Sequence, residues 1–107
     1  MSNEWKIICS VDDIPVLGSR VVQRTDQPNV AIFRNSEDKI FALLDKCPHK
    51  GGPLSQGIVF GERVACPLHN TCVELGTGCA VAPDTGQVQS FAVKVVDGDV
   101  YVNLDGD

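Results

Sequence analysis

Short apolar runs alternate with turn residues along the whole chain, and no segment sustains an apolar period of 3.6 over three turns. That pattern predicts an all-β domain. Candidate strands are Trp5 to Ile8, Arg20 to Arg24, Val30 to Arg34, Ile40 to Leu44, Gly57 to Phe60 and Arg63 to Ala65. Cys72 to Leu75, Phe91 to Val96 and Val100 to Leu104 complete the set. Asn35-Ser36-Glu37-Asp38, Gly61-Glu62 and Asp97-Gly98-Asp99 separate neighbouring runs and should close hairpins. Asp12 to Leu17 suits one short helical turn, limited by Pro15.

The length of 107 residues suits one domain, spanning 1–107, with neither repeat nor linker. A formal net charge of −5 argues against a nucleic-acid partner and against an anionic membrane surface. The N-terminal stretch MSNEWKIICSVDD has no basic region followed by a long apolar run, and no apolar stretch is long enough for a membrane helix. A cytoplasmic location is therefore expected. In a reducing cytosol the five cysteines suit ligands or buried thiols better than disulfides.

The candidate chemistry lies in two loops. Residues 47–52 read CPHKGG and residues 66–70 read CPLHN, and the only two histidines of the chain, His49 and His69, fall in these stretches. The first loop follows the strand ending near Asp45, and the second follows Arg63 to Ala65. A hairpin between Ile58 and Cys66 would bring the loops together. Cys47, His49, Cys66 and His69 make a four-ligand set of mixed softness, suited to zinc or to an iron–sulfur cluster. A structural zinc site more often pairs like ligands within one loop. Here each loop supplies one Cys and one His, which fits a two-iron cluster better, with both thiolates on one iron and both imidazoles on the other. Gly51, Gly52 and Gly57 would let backbone approach closely and aim N–H groups at sulfur. Pro48, Pro53 and Pro67 would stiffen the loops.

These motifs resemble the Rieske [2Fe–2S] proteins. The resemblance implies an antiparallel β-sandwich with a small cluster-binding subdomain of two loops, at about residues 45–75. It implies Cys47, His49, Cys66 and His69 as cluster ligands, and a potential within about −150 to +300 mV. Rieske proteins of cytochrome bc complexes add a disulfide between the loops, but the matching positions here are Gly52 and Leu68. Thr71 matches their serine, and Val73 replaces their tyrosine. A low-potential, ferredoxin-type centre is expected. The free imidazole nitrogens of His49 and His69 would couple electron uptake to a proton. Cys72 falls on a candidate strand after a completed ligand set and reads as a buried structural thiol; Cys9 and Cys79 carry no partner signal.

The phrase CPHKGGPLSQGIVFGERVACPLHN, the later ELGTG, the Pro83 to Gly86 turn and FAVKVVDGDVYVNL most resemble the small subunit of assimilatory NAD(P)H-dependent nitrite reductase. That likeness implies a non-catalytic electron-transfer subunit. Its partner would be a large subunit bearing flavin, an iron–sulfur cluster and siroheme, which reduces nitrite to ammonium. The alternative is a free Rieske ferredoxin donating electrons to a ring-hydroxylating dioxygenase, with an oxygenase or reductase as partner.

Overall fold

A computed structural model describes residues 5–23, 29–46, 53–66, 72–81 and 86–103. Ten strands are present among them: β1 (Lys6–Ser10), β2 (Gly18–Val22), β3 (Val30–Arg34), β4 (Ile40–Leu44), β5 (Ile58–Phe60), β6 (Arg63–Ala65), β7 (Cys72–Glu74), β8 (Ser90–Phe91), β9 (Val93–Val96) and β10 (Asp99–Val102). They form three antiparallel sheets, in the orders β1-β10-β9, β2-β3-β4-β8 and β5-β6-β7.

The run Val30-Ala31-Ile32-Phe33 explains how the sheets stack. Alternate side chains of a strand point to opposite faces, so a continuous apolar run needs a core on both sides. Val30 and Ile32 pack with Ile14, Ala42, Phe91, Val100 and Val102. Ala31 and Phe33 pack with Leu43, Leu54, Val59, Val64, Cys66 and Val73. The β2-β3-β4-β8 sheet is thus the middle layer. The first two sheets form the expected sandwich, and β5-β6-β7 covers the second face.

Two hairpin tips are fastened to each other. Asn35, 1% exposed, accepts from the Glu37 and Lys39 N–H groups through Oδ1, at 3.0 and 2.9 Å. Its Nδ2 donates to the Gly61 carbonyl at 3.0 Å, joining the β3–β4 turn to the β5–β6 turn. Nearby, Lys39 Nζ reaches Glu62 at 2.8 Å, and this pairing raises its pKa.

Several bounds differ from the sequence reading for local reasons. The strand expected over Phe91 to Val96 changes sheets at Ala92. Phe91 pairs with Ala42 of β4, whereas Val93 pairs with Val102 of β10. Such a switch forms the corner between two packed sheets. The helical turn lies earlier than expected, as a 3-10 turn over Val11–Asp13 with Ser10 and Asp13 in a reciprocal cap. It stops at Ile14, because the residue before Pro15 disfavours helical backbone. β1 and β2 are displaced from Trp5 to Ile8 and Arg20 to Arg24, and Arg24 and Leu104 lie outside the described residues.

Candidate metal centre

Four chain segments form the roots of the two Cys/His loops, and the structure joins all four. The first loop leaves β4 through Asp45 and Lys46. It returns through a 3-10 turn at Leu54–Gln56. Ser55 of that turn gives its N–H to Asp45 Oδ1 at 2.7 Å and its hydroxyl to Asp45 Oδ2 at 2.9 Å. The Ser55 carbonyl accepts from Ser19 Oγ of β2 at 2.7 Å. One carboxylate therefore closes a loop whose ends are ten positions apart, and the edge strand of the middle sheet holds the closure in place.

The second loop leaves β6 at Cys66 and returns at Cys72 of β7. Ala65 and Cys72 are register partners, and Ile58 of β5 pairs with Ala65 from the other side. The hairpin expected between Ile58 and Cys66 is thus present. The two pairs of roots also touch each other. Gly57 lies so close to the Ala65 carbonyl that a β-carbon there would collide with it. Leu54 and Cys66, both fully buried, share one core with Val64 and Val73.

Of the four candidate ligands, Cys66 is placed by these contacts, 0% exposed. Cys47, His49 and His69 lie outside the described residues, as do Pro48, Gly51, Gly52, Pro67, Leu68 and Thr71. Among the described residues no group of three or more His, Cys, Asp or Glu could hold a metal ion. The donor set nevertheless fits a [2Fe–2S] centre. Two thiolates and two imidazoles would satisfy its two irons, and the roots of the Cys-x-His and Cys-x-x-His segments are held side by side.

The other expectations for this region divide. Gly57 permits the close backbone approach, and its N–H is given to the Leu54 carbonyl at 2.9 Å. Pro53 precedes the 3-10 turn that carries Ser55. Cys72 lies on a strand as expected, yet it is half-buried and not buried, because it shares the outer face of the third sheet with Ala65 and Ile58. Cys79 has a backbone role that sequence reading missed. Its carbonyl accepts from Glu74 N–H at 2.9 Å, and it forms an isolated bridge with Gln87. Cys9 packs at the margin of the other core, where burial raises its thiol pKa. Asp45, Ser55 and Ser19 were also missed, since hydrogen bonds across 10 and 36 positions leave no periodic signal.

Comparison with known proteins decides the family. The Rieske-like [2Fe-2S] domain matches residues 4–103. The chain belongs to that family. It is 33% identical over 102 residues to the anthranilate 1,2-dioxygenase ferredoxin subunit of Burkholderia cepacia, covering 94% of this chain and 93% of the relative. Ferredoxin CarAc of Metapseudomonas resinovorans is 32% identical over 103 residues, with 95% of each chain covered. A chain in the structure of oxygenase complexed with ferredoxin in carbazole 1,9a-dioxygenase superposes with a TM-score of 0.85 at 29% identity, covering 96% of this chain and 95% of that one. A protein described as an NADH-dependent nitrite reductase small subunit from Mycobacterium tuberculosis gives 0.81 at 24% identity, over 92% and 93% of the two chains, a likeness of fold. The protein is accordingly a Rieske electron-transfer protein whose cofactor is a [2Fe–2S] cluster. Among the described residues no helix is long and apolar enough to cross a membrane.

Proposed function

We propose that this Rieske protein is a ferredoxin that carries single electrons from a reductase to the oxygenase component of a ring-hydroxylating dioxygenase. The observation that carries this reading is end-to-end similarity to the anthranilate 1,2-dioxygenase ferredoxin subunit and to ferredoxin CarAc, at 33% and 32% identity over almost the whole of each chain. It was the alternative on sequence alone, and it displaces the nitrite reductase small subunit as the leading reading. When bound, the cluster takes up and releases one electron. Cys47 and Cys66 would hold one iron as thiolates, and His49 and His69 would hold the other as neutral imidazoles. Gly52 and Leu68 supply no bracing thiols, which supports a low-potential centre.

The nitrite reductase small subunit remains the second reading. The phrase CPHKGGPLSQGIV favours it, and the structural likeness at 24% identity speaks to the fold alone.

Stopped-flow transfer separates the two. Anaerobically reduced protein is mixed with an oxidised oxygenase component of a ring-hydroxylating dioxygenase and, separately, with an oxidised siroheme reductase subunit. Reoxidation by the oxygenase component alone is the expected result. Transfer only to the siroheme subunit overturns the first reading in favour of the second.

A further inference from the structure

The Asp45–Ser55 contact does more than close a turn. Asp45 lies two positions before Cys47, and Ser55 lies six positions after His49. The pair therefore joins the two ends of the segment that carries half of the ligand set. Its chemistry is unusually committed for a loop. Each carboxylate oxygen takes a different donor from one residue, at 2.7 and 2.9 Å, and both side chains are half-buried. Ser19 then fixes the Ser55 carbonyl, so the edge strand β2 and the end of β4 meet at one serine. Hydrogen bonds to a charged acceptor are stronger than neutral ones and hold geometry better. Sheet pairing and apolar packing already fasten the second loop, through Ala65, Cys72 and Cys66. The first loop returns through a 3-10 turn before β5, where buried Leu54 anchors one side and the polar contact of Ser55 ties the turn back to the exit from β4.

We infer that Asp45 and Ser55 are positioning residues for the cluster, fixing the Cys47/His49 loop and thereby controlling how firmly that loop holds its iron. The inference rests on the assignment of Cys47 and His49 as ligands. Deletion of an outer hydrogen-bonding group that orients a metal site commonly weakens it by about 10- to 100-fold. Removal of either partner should act in that range. Ser55→Thr retains both donors and should preserve the site.

The test uses the holoprotein and three readouts. These are the rate at which an iron chelator bleaches the visible absorbance, the line shape of the reduced cluster in electron paramagnetic resonance, and the urea midpoint. Ser55→Ala and Asp45→Ala should bleach roughly tenfold faster or more, with broadened resonance lines, and Ser55→Thr should match the parent. Asn35→Ala serves as the stability control, because the Asn35–Gly61 junction lies at the opposite ends of β4 and β5. It should lower the urea midpoint while leaving the line shape and the bleaching rate unchanged. If Ser55→Ala matches the parent, or if Asn35→Ala reproduces its bleaching and broadening, the positioning role is overturned. If the variants of Cys47 and His49 retain a parent-like cluster, the ligand assignment fails first, which is a different result.

Discussion

Gly57 and the carbonyl of Ala65 are packed so tightly that no side chain fits between them. This contact presses the returning end of the first loop against the strand that leads into Cys66. The backbone of Gly57, at φ −81° and ψ −179°, is open to any residue, so glycine is required here by space and not by conformation. Gly57→Ala should therefore act through overpacking, at about 1–3 kcal/mol. Chemical denaturation gives the loss directly, and iron content after reconstitution should fall with it, because both loop roots must move. An unchanged denaturation midpoint would show that the contact relaxes at no cost.

A second contact predicts a loss of stability alone. Asn35 makes three hydrogen bonds with one side chain, two as acceptor and one as donor. Asn35→Ala leaves the Gly61 carbonyl and two N–H groups without these partners. Glu37 and Lys39 are exposed, so water replaces part of the loss, and about 2 kcal/mol is expected. Asn35→Asp keeps both acceptor contacts but loses the donor and buries a charge, so it should be no milder. Urea midpoints of the two variants check the order.

The sequence made the strands, the loop positions and the ligand set legible for different reasons. Val30–Arg34, Ile40–Leu44 and Arg63–Ala65 have the bounds expected from their apolar runs, because each is flanked by a turn or a loop that stops it. The switch of sheets at Ala92 was illegible, since alternation along Phe91 to Val96 continues across the corner while the pairing partner changes. The Cys/His pattern was visible because spacing within a loop is local. The Asp45–Ser55–Ser19 chain was not, because neither a lone Asp nor a lone Ser signals a partner in another element. Cys72 followed its strand but not its burial: period two places it on the face opposite Val73, away from the core.

Alkaline pH should reveal the half-buried thiol of Cys9. Burial is the largest influence on Cys9 and raises its pKa above the ordinary 9.0, partly offset by Arg20. The folded state therefore holds this proton more firmly than the unfolded chain does. Its contribution to stability is fully present below about pH 9 and is lost as the pH rises through the higher folded value. Lys39, raised above 10.5 chiefly by its hydrogen bond to Glu62, acts with the same sign at still higher pH. The urea midpoint of the apoprotein should hold up to about pH 8.5 and then decline. Cys9→Ala should flatten the first part of that decline, and an unaltered profile would remove Cys9 as its cause.

Cys66 and Cys72 provide the sharpest contrast for the ligand set, since they flank one loop and Cys72 pairs with Ala65, the neighbour of Cys66. Cys66 is fully buried at the end of β6, whereas Cys72 is half-buried on the outer face of β7. The Rieske pattern takes Cys66 and leaves Cys72 out. Cys66→Ser should abolish the visible absorbance and the reduced-state resonance, because a hydroxyl is a far poorer ligand for iron than a thiolate. Cys72→Ser should retain both, together with about two irons per chain. Both variants keep nearly the parent side-chain volume, so a difference between them reports on coordination rather than packing. Urea midpoints of the two apoproteins provide the control. Loss of iron in Cys72→Ser at an unchanged midpoint would move Cys72 into the ligand set and displace one of the four assigned residues.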